Sequence, residues 1–345
     1  MISPWPALVS GATAAAVAVL VCTLIERLGG ALGGVLGTVP GTITPASVGL
    51  WFAGESTLSF RQSVASAPIG LAINAGFLLC WRHLPPHLPL VSLWARLACM
   101  VCCSLALWAA LAAPTMWILH WARRAGYHTA VYVAAAISAA LVFMAGVAGT
   151  WRMPPAPKGA RPVDWRTQLA RGLLAFAAVS AAVLAAHAAP ALAGILAVWP
   201  AVFLTTMVAM WISQGEAVQA GAVSPMILGM TAPMLFCGLA CVTYPRWGAW
   251  RGCVVSWLAA VLSGTVPLAL YVRWRVRCGG VNGDSGAGVL EVEGASAVPT
   301  VQIHDVGRDG AGSREDRVEL YPAKVTSNDP MPLWSPEVDA IQAIA

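Results

Sequence analysis

From residue 6 to residue 272 this sequence is a succession of apolar runs, each about as long as a lipid bilayer is thick. A helix rising about 1.5 Å per residue needs about 20 consecutive apolar residues to cross a hydrocarbon core of about 30 Å. Nine runs meet that requirement, at 6–25, 28–53, 63–81, 97–119, 129–149, 172–189, 191–213, 219–242 and 252–272. Inside lipid no water is available to the backbone, so each run must satisfy its own N–H and C=O groups as a helix. Trp51, Trp81, Trp94, Trp117, Trp151 and Trp211 fall near the ends of these runs, where an amphipathic indole prefers to sit. The expected fold is therefore all-α, a polytopic membrane bundle of about nine transmembrane helices. The start lacks a basic segment before its first apolar run, which argues against a cleaved signal peptide.

Composition agrees. Charged residues make up 10% of the chain, against about 25% in soluble domains, too few to cover a water-exposed surface. Eleven of the 15 acidic residues lie beyond position 280, so the net charge of +5 combines a basic membrane region with an acidic tail. Assigned to alternating faces, Arg27, Arg82, Arg96, Arg152, Lys158, Arg161, Arg166, Arg171, Arg273, Arg275 and Arg277 oppose Arg61, Arg123, Arg124, Arg246 and Arg251. This bias makes the first face cytoplasmic, with the N-terminus outside. No basic, aromatic-rich polar domain is present, so nucleic acid is not an expected partner.

The chain divides into a first membrane repeat (1–120), a linker helix (121–151), a basic cytoplasmic connector (152–171), a second membrane repeat (172–277) and a disordered, acidic cytoplasmic tail (278–345). The tail is read from its Gly, Ser and Asp content and the loss of any apolar period.

The two repeats rest on an internal duplication. ALGGVLGTVP (31–40) aligns with ALAGILAVWP (191–200) at an offset of 160, with Pro40 opposite Pro200 and Trp51 opposite Trp211. After one inserted residue, Gly54-Glu55 meets Gly215-Glu216, Ser63 meets Ser224 and Cys80 meets Cys241. Four spans return the chain to its starting face, and the fifth places the second copy upside down. The expectation is two inverted four-helix repeats joined by a linker helix. Secondary transporters commonly have that architecture, with their sites near the midplane at interrupted helices.

Candidate functional residues follow from the duplication. Gly29, Gly33, Gly37 and Gly41 form a small-residue stripe matched by Ala189, Ala193, Ala197 and Ala201, which lets backbones approach closely. The two stripes are expected to cross. Pro40 and Pro200 should kink their helices and free carbonyls one turn earlier. Thr38, Thr42, Thr44, Thr205 and Thr206 can cap such groups or face a cavity. Close packing around a proline kink explains the same residues without a substrate. Glu55 and Glu216 are either gate carboxylates or solvated charges at helix ends. Asn74 is a polar residue deep in a span, and either joins helices or binds substrate.

LAGILAVWPAVFLTTMVAMWISQGEAVQAGAVSPMILGMTAPMLF, with Ala193-Gly194, Trp199-Pro200 and Gly215-Glu216, resembles the core of small bacterial inner-membrane proteins of the GlpM type. The resemblance covers about 50 residues per repeat and implies a tandem, inverted fusion of a short four-helix membrane module.

Cys99, Cys102 and Cys103 can share a helix face, but without a nearby His or carboxylate they read as small apolar residues rather than metal ligands. No catalytic pattern is present, and neither an enzymatic role nor a cofactor is expected. Two readings stand. One is a secondary transporter or permease for a small solute. The other is a multi-pass membrane scaffold whose tail recruits a cytosolic partner. The bilayer is a partner in both.

Overall fold

The computed structural model describes residues 4–28, 35, 38–54, 56–89, 92–151, 165–186, 189–214 and 216–283. Glu55, Gly29, Gly33, Gly37 and the chain beyond 283 lie outside them.

Every regular element among the described residues is helical. The α-helices are α1 (Trp5–Leu28), α2 (Ile43–Ala53), α3 (Thr57–His83), α4 (Leu93–Arg124), α5 (Ala130–Trp151), α6 (Trp165–Ala185), α7 (Pro190–Ala197), α8 (Ala201–Gln214), α9 (Glu216–Gly229), α10 (Thr231–Ala260) and α11 (Val266–Gly283). A 3₁₀ turn at Pro85–His87 and a π turn at Val261–Thr265 complete the list.

Six helical stretches among the described residues are long and apolar enough to cross a membrane: Thr57–His83, Leu93–Arg124, Ala130–Trp151, Trp165–Ala185, Leu192–Ile212 and Gln219–Arg275. Trp5–Leu20 and Ile43–Ala53 are shorter apolar helices. On α4 and α5, Leu111, Trp117, Ile118, Val133, Ile137, Leu141, Phe143 and Met144 are exposed. An apolar surface of that extent suits lipid and not water, and the protein is a membrane-embedded helical bundle.

The helices overrun the boundaries that composition suggested. α4 extends to Arg124, α6 takes in 165–171, and α11 continues to Gly283. Arg171, read as part of a solvated connector, lies 1% exposed inside α6. Its Nε donates to Thr205 Oγ1 at 3.2 Å and its Nη1 to Gln168 Oε1 at 3.1 Å.

Gly248 turns α10 back on itself. Its φ of 78° and ψ of 171° belong to a region that essentially only glycine occupies. In a straight helix residues 244 and 252 would be about 12 Å apart. Instead a Cβ on Gly252 would lie 2.8 Å from Tyr244 Cα, and Thr243 and Ser256 hydroxyls are 2.6 Å apart. Segments 231–247 and 249–260 are thus the antiparallel arms of a helical hairpin.

α3 is the central element, buried along most of its length and packed against α4, α5, α7 and α10. Small residues allow those contacts. The missing side chain of Gly194 on α7 leaves room for the Ser63 carbonyl and Ser66 hydroxyl of α3. A Cβ on Gly146 of α5 would lie 2.5 Å from Leu228 Cα on α9. α7 seats on α3, where the serines leave space; the predicted crossing of the two small-residue stripes falls on Gly29, Gly33 and Gly37, which lie outside the described residues.

Charges sort to two ends. Gln62 meets His128 at one end, together with Arg61 and Arg246. At the other, Arg82 Nη1 donates to Ser224 Oγ at 2.7 Å, Arg96 pairs with Glu216, and Arg275 Nη2 donates to the Trp151 carbonyl at 2.6 Å.

Candidate functional site

The two proline-containing segments meet at the level of Asn74, between the charged ends. Pro200 does more than kink its helix. Its ring leaves no N–H to donate, and α7 stops at Ala197 before α8 starts at Ala201. The Leu196 carbonyl, deprived of its partner one turn later, accepts from Trp199 N at 3.0 Å. On the other segment the chain turns at 38–42 and α2 begins at Ile43.

The turns are copies of each other. Thr38 N donates to the Val35 carbonyl at 3.1 Å, and Val198 N to the Ile195 carbonyl at 3.3 Å. Gly41 N donates to the Val39 carbonyl, and Ala201 N to the Trp199 carbonyl at 2.7 Å. Both pairs of bonds are related by the 160-residue offset. Each turn also receives a glycine from a helix distant in sequence. A Cβ on Gly70 would lie 3.1 Å from Ile195 Cα, and one on Gly229 would lie 3.1 Å from Val35 Cα.

A cavity of about 70 Å³ lies between the breaks, lined by Thr38, Val39, Pro40, Gly41, Thr42, Asn74, Val198, Trp199 and Phe203 among others. That volume holds a few water molecules. None of its lining residues is charged. Its polarity comes from threonine hydroxyls, backbone released from helical pairing, and the start of α2. A half-helix N-terminus carries a partial positive charge.

Asn74 is 1% exposed. Its Nδ2 donates to the Val198 carbonyl at 2.7 Å, and Trp108 Nε1 donates to its Oδ1 at 2.8 Å. Both amide atoms are thereby committed to holding the break, and a face of the residue still lines the cavity.

Other predicted residues serve nearby backbone. Thr44 Oγ1 donates to the Pro40 carbonyl. Thr205 Oγ1 donates to the Ala201 carbonyl at 2.8 Å while accepting from Arg171. Thr42 precedes α2 without a side-chain cap bond and faces the cavity. Thr206 is buried away from it. Glu216 opens α9 at the charged end, 2.8 Å from Arg96 Nη2, which also donates to the Pro85 carbonyl at 2.9 Å. Glu55 lies outside the described residues. The structure thus brings together Pro40, Thr42 and Asn74, and leaves Glu216 and Thr206 apart from them.

Aromatic pairs close the bundle on either side. Trp51 packs against Tyr244 with ring centroids 5.8 Å apart, and Tyr244 is stacked on Phe60 at 5.0 Å. The Tyr244 hydroxyl is 2.7 Å from Ser47 Oγ. Toward the Glu216 end, Trp211 meets Trp81 edge-on at 5.9 Å. Trp81 and Trp211 are 0% and 2% exposed, so these two indoles, expected at the lipid interface, belong to the core.

Among the described residues no group of three His, Cys, Asp or Glu side chains could hold a metal ion. Comparison of the chain with known protein families, with curated proteins and with solved structures finds no match.

Proposed function

We propose that the protein is a secondary transporter or permease for a small solute, built from two inverted repeats in nine membrane crossings. The observation that carries this reading is the pair of matched helix breaks enclosing one small polar cavity at mid-depth. Interrupted helices at a repeat interface are the usual place for a transported solute. The recurrence of the same backbone bonds at an offset of 160, and of the glycine contacts from opposite halves, supports a two-fold relation in the membrane plane. On this reading α1 to α4 and α6 to α11 are the repeats, and α5 is the linker. The tandem GlpM-type resemblance fits the same plan.

The solute is recognised by hydroxyls, unpaired backbone and a helix end rather than by a charged side chain. The aromatic pairs, Trp51–Tyr244 and Trp81–Trp211, are the closures on the two sides, and the conformation described here is the occluded one. Glu216, held by Arg96, belongs to the rim.

The test is sided thiol labelling. Thr42→Cys and Val202→Cys are placed singly on a cysteine-free background in sealed, oriented vesicles. A small charged methanethiosulfonate should reach both positions from both faces, as alternating exposure requires. Protection from both faces describes a dry bundle, and would leave the scaffold with a partner-recruiting tail as the better reading.

A further inference from the structure

A second, larger concavity lies away from the breaks. It runs between α5, the α10 hairpin and α11, with α3 as its floor, and has a volume of about 1470 Å³. Its walls are apolar, with Ala136, Ala139 and Phe143 on one side and Met234, Leu235 and Leu268 on the other. On this side the lining runs from Thr129, just before α5, to Val147, about 27 Å at helical rise and close to the thickness of a bilayer core.

The groove is charged at one end only. Arg61, His128 and Arg246 line it there, all three exposed. Neither arginine has a carboxylate partner among the described residues, where the one ion pair is Arg96–Glu216. Of the four acidic residues before position 280, only Glu55 falls at this end in sequence.

We infer that this groove binds one membrane phospholipid with an anionic headgroup. The headgroup sits against Arg61, Arg246 and His128, and the acyl chains lie along the walls. A zwitterionic lipid satisfies the walls but leaves the cations uncompensated. A second copy laid groove to groove would bring two uncompensated cationic rims together. Basic pockets between membrane helices recognise lipid headgroups on the same electrostatic ground.

The test uses the full-length protein in mild detergent. It is offered equimolar phosphatidylglycerol and phosphatidylcholine of identical acyl chains, and retained lipid is counted by native mass spectrometry. The wild type should retain phosphatidylglycerol several-fold more than phosphatidylcholine. Arg61→Gln and Arg246→Gln should each cut that preference about fivefold. Arg123→Gln with Arg124→Gln, at the same end but outside the groove, should leave it unchanged. Ala139→Trp, which fills the groove, should reduce retention of both lipids. Equal retention of the two lipids by the wild type overturns the assignment. So does an unchanged preference when Arg61→Gln and Arg246→Gln are combined, or Ala139→Trp that abolishes a dimer while lipid retention persists.

Discussion

Asn74 on α3 donates a 2.7 Å hydrogen bond to the backbone carbonyl of Val198, the residue at which the chain breaks between α7 and α8. A carbonyl released from helical pairing inside the bundle needs another donor in place of the lost N–H. The side chain that answers it comes from 124 residues away and is itself oriented by Trp108. One asparagine thus makes the break stable enough to exist and fixes its position against the cavity.

Replacing Asn74 by Leu should strand the Val198 carbonyl and the Trp108 N–H together. Each buried orphan costs about 1–3 kcal/mol, with measured interhelical bonds in membranes at the lower end. Trp108→Phe removes only one of the two bonds and should cost less. A double-mutant cycle in denaturant titrations should give a coupling of about 0.5–1.5 kcal/mol. A coupling near zero would mean the triad is geometry without energetic consequence.

Gly194 and Gly238 make a matched pair for a steric test. A Cβ at 194 collides with the Ser63 carbonyl, whereas at 238 nothing lies within 4 Å. Gly194→Ala should lower folded yield and the thermal midpoint strongly. Gly238→Ala should be neutral, or stabilising by up to about 1 kcal/mol through helix propensity. Equal effects of the two would show that α7 does not dock on α3 at this point.

The long apolar helices, six such stretches among the described residues, were legible because a helix in lipid leaves a signal in plain length and apolarity. Pro40 and Pro200 were legible as interruptions because proline removes a donor wherever it falls. That the chain would break outright at Val198 was not legible, since this depends on Asn74 being within reach. Trp108 gave no local hint of its role; its partner Asn74 is 34 residues away, on another helix. Trp81 and Trp211 misled, because an indole near the end of a run reads as an interface anchor unless its neighbours are known. Gly248 falls between the apolar runs at 219–242 and 252–272, and only the contact of Tyr244 with Gly252 reveals how tightly the hairpin closes.

The proposed sidedness is checked by reporter fusions. Fusions after Lys158 and after Arg277 should both report the cytoplasm, and one after Gly126 the opposite side. Any other combination removes the inverted relation between the halves.

Arg96 and Glu216 test what a carboxylate at the rim contributes. Their side chains are 27% and 35% exposed, so the pair is worth about 0–1 kcal/mol and is screened by salt. Glu216→Gln should shift the thermal midpoint slightly at low salt and hardly at all at 1 M, the concentration at which the screening length falls to about 3 Å. It should also leave labelling of Thr42→Cys unchanged from both faces. A one-sided change in labelling would restore Glu216 as a gate.

The aromatic closures make the sharpest demand on the proposal. Trp51 and Trp211, matched in sequence at the 160-residue offset, pack toward opposite ends, one on Tyr244 and the other on Trp81. If each pair seals one face, truncating it should favour the state open to that face, since only a differential effect on two states shifts their balance. Trp211→Ala should then raise methanethiosulfonate labelling of Thr42→Cys from the Glu216 side and lower it from the other. Trp51→Ala should do the reverse. Trp211 is buried and Trp51 partly so, and removing a buried indole to alanine costs about 3–5 kcal/mol, so the milder Trp211→Phe and Trp51→Phe must show the same directions with smaller amplitudes. Packing loss alone loosens a bundle without regard to side and would raise labelling from both faces in both variants. Opposite, face-specific changes are what a pair of gates related by inversion must produce.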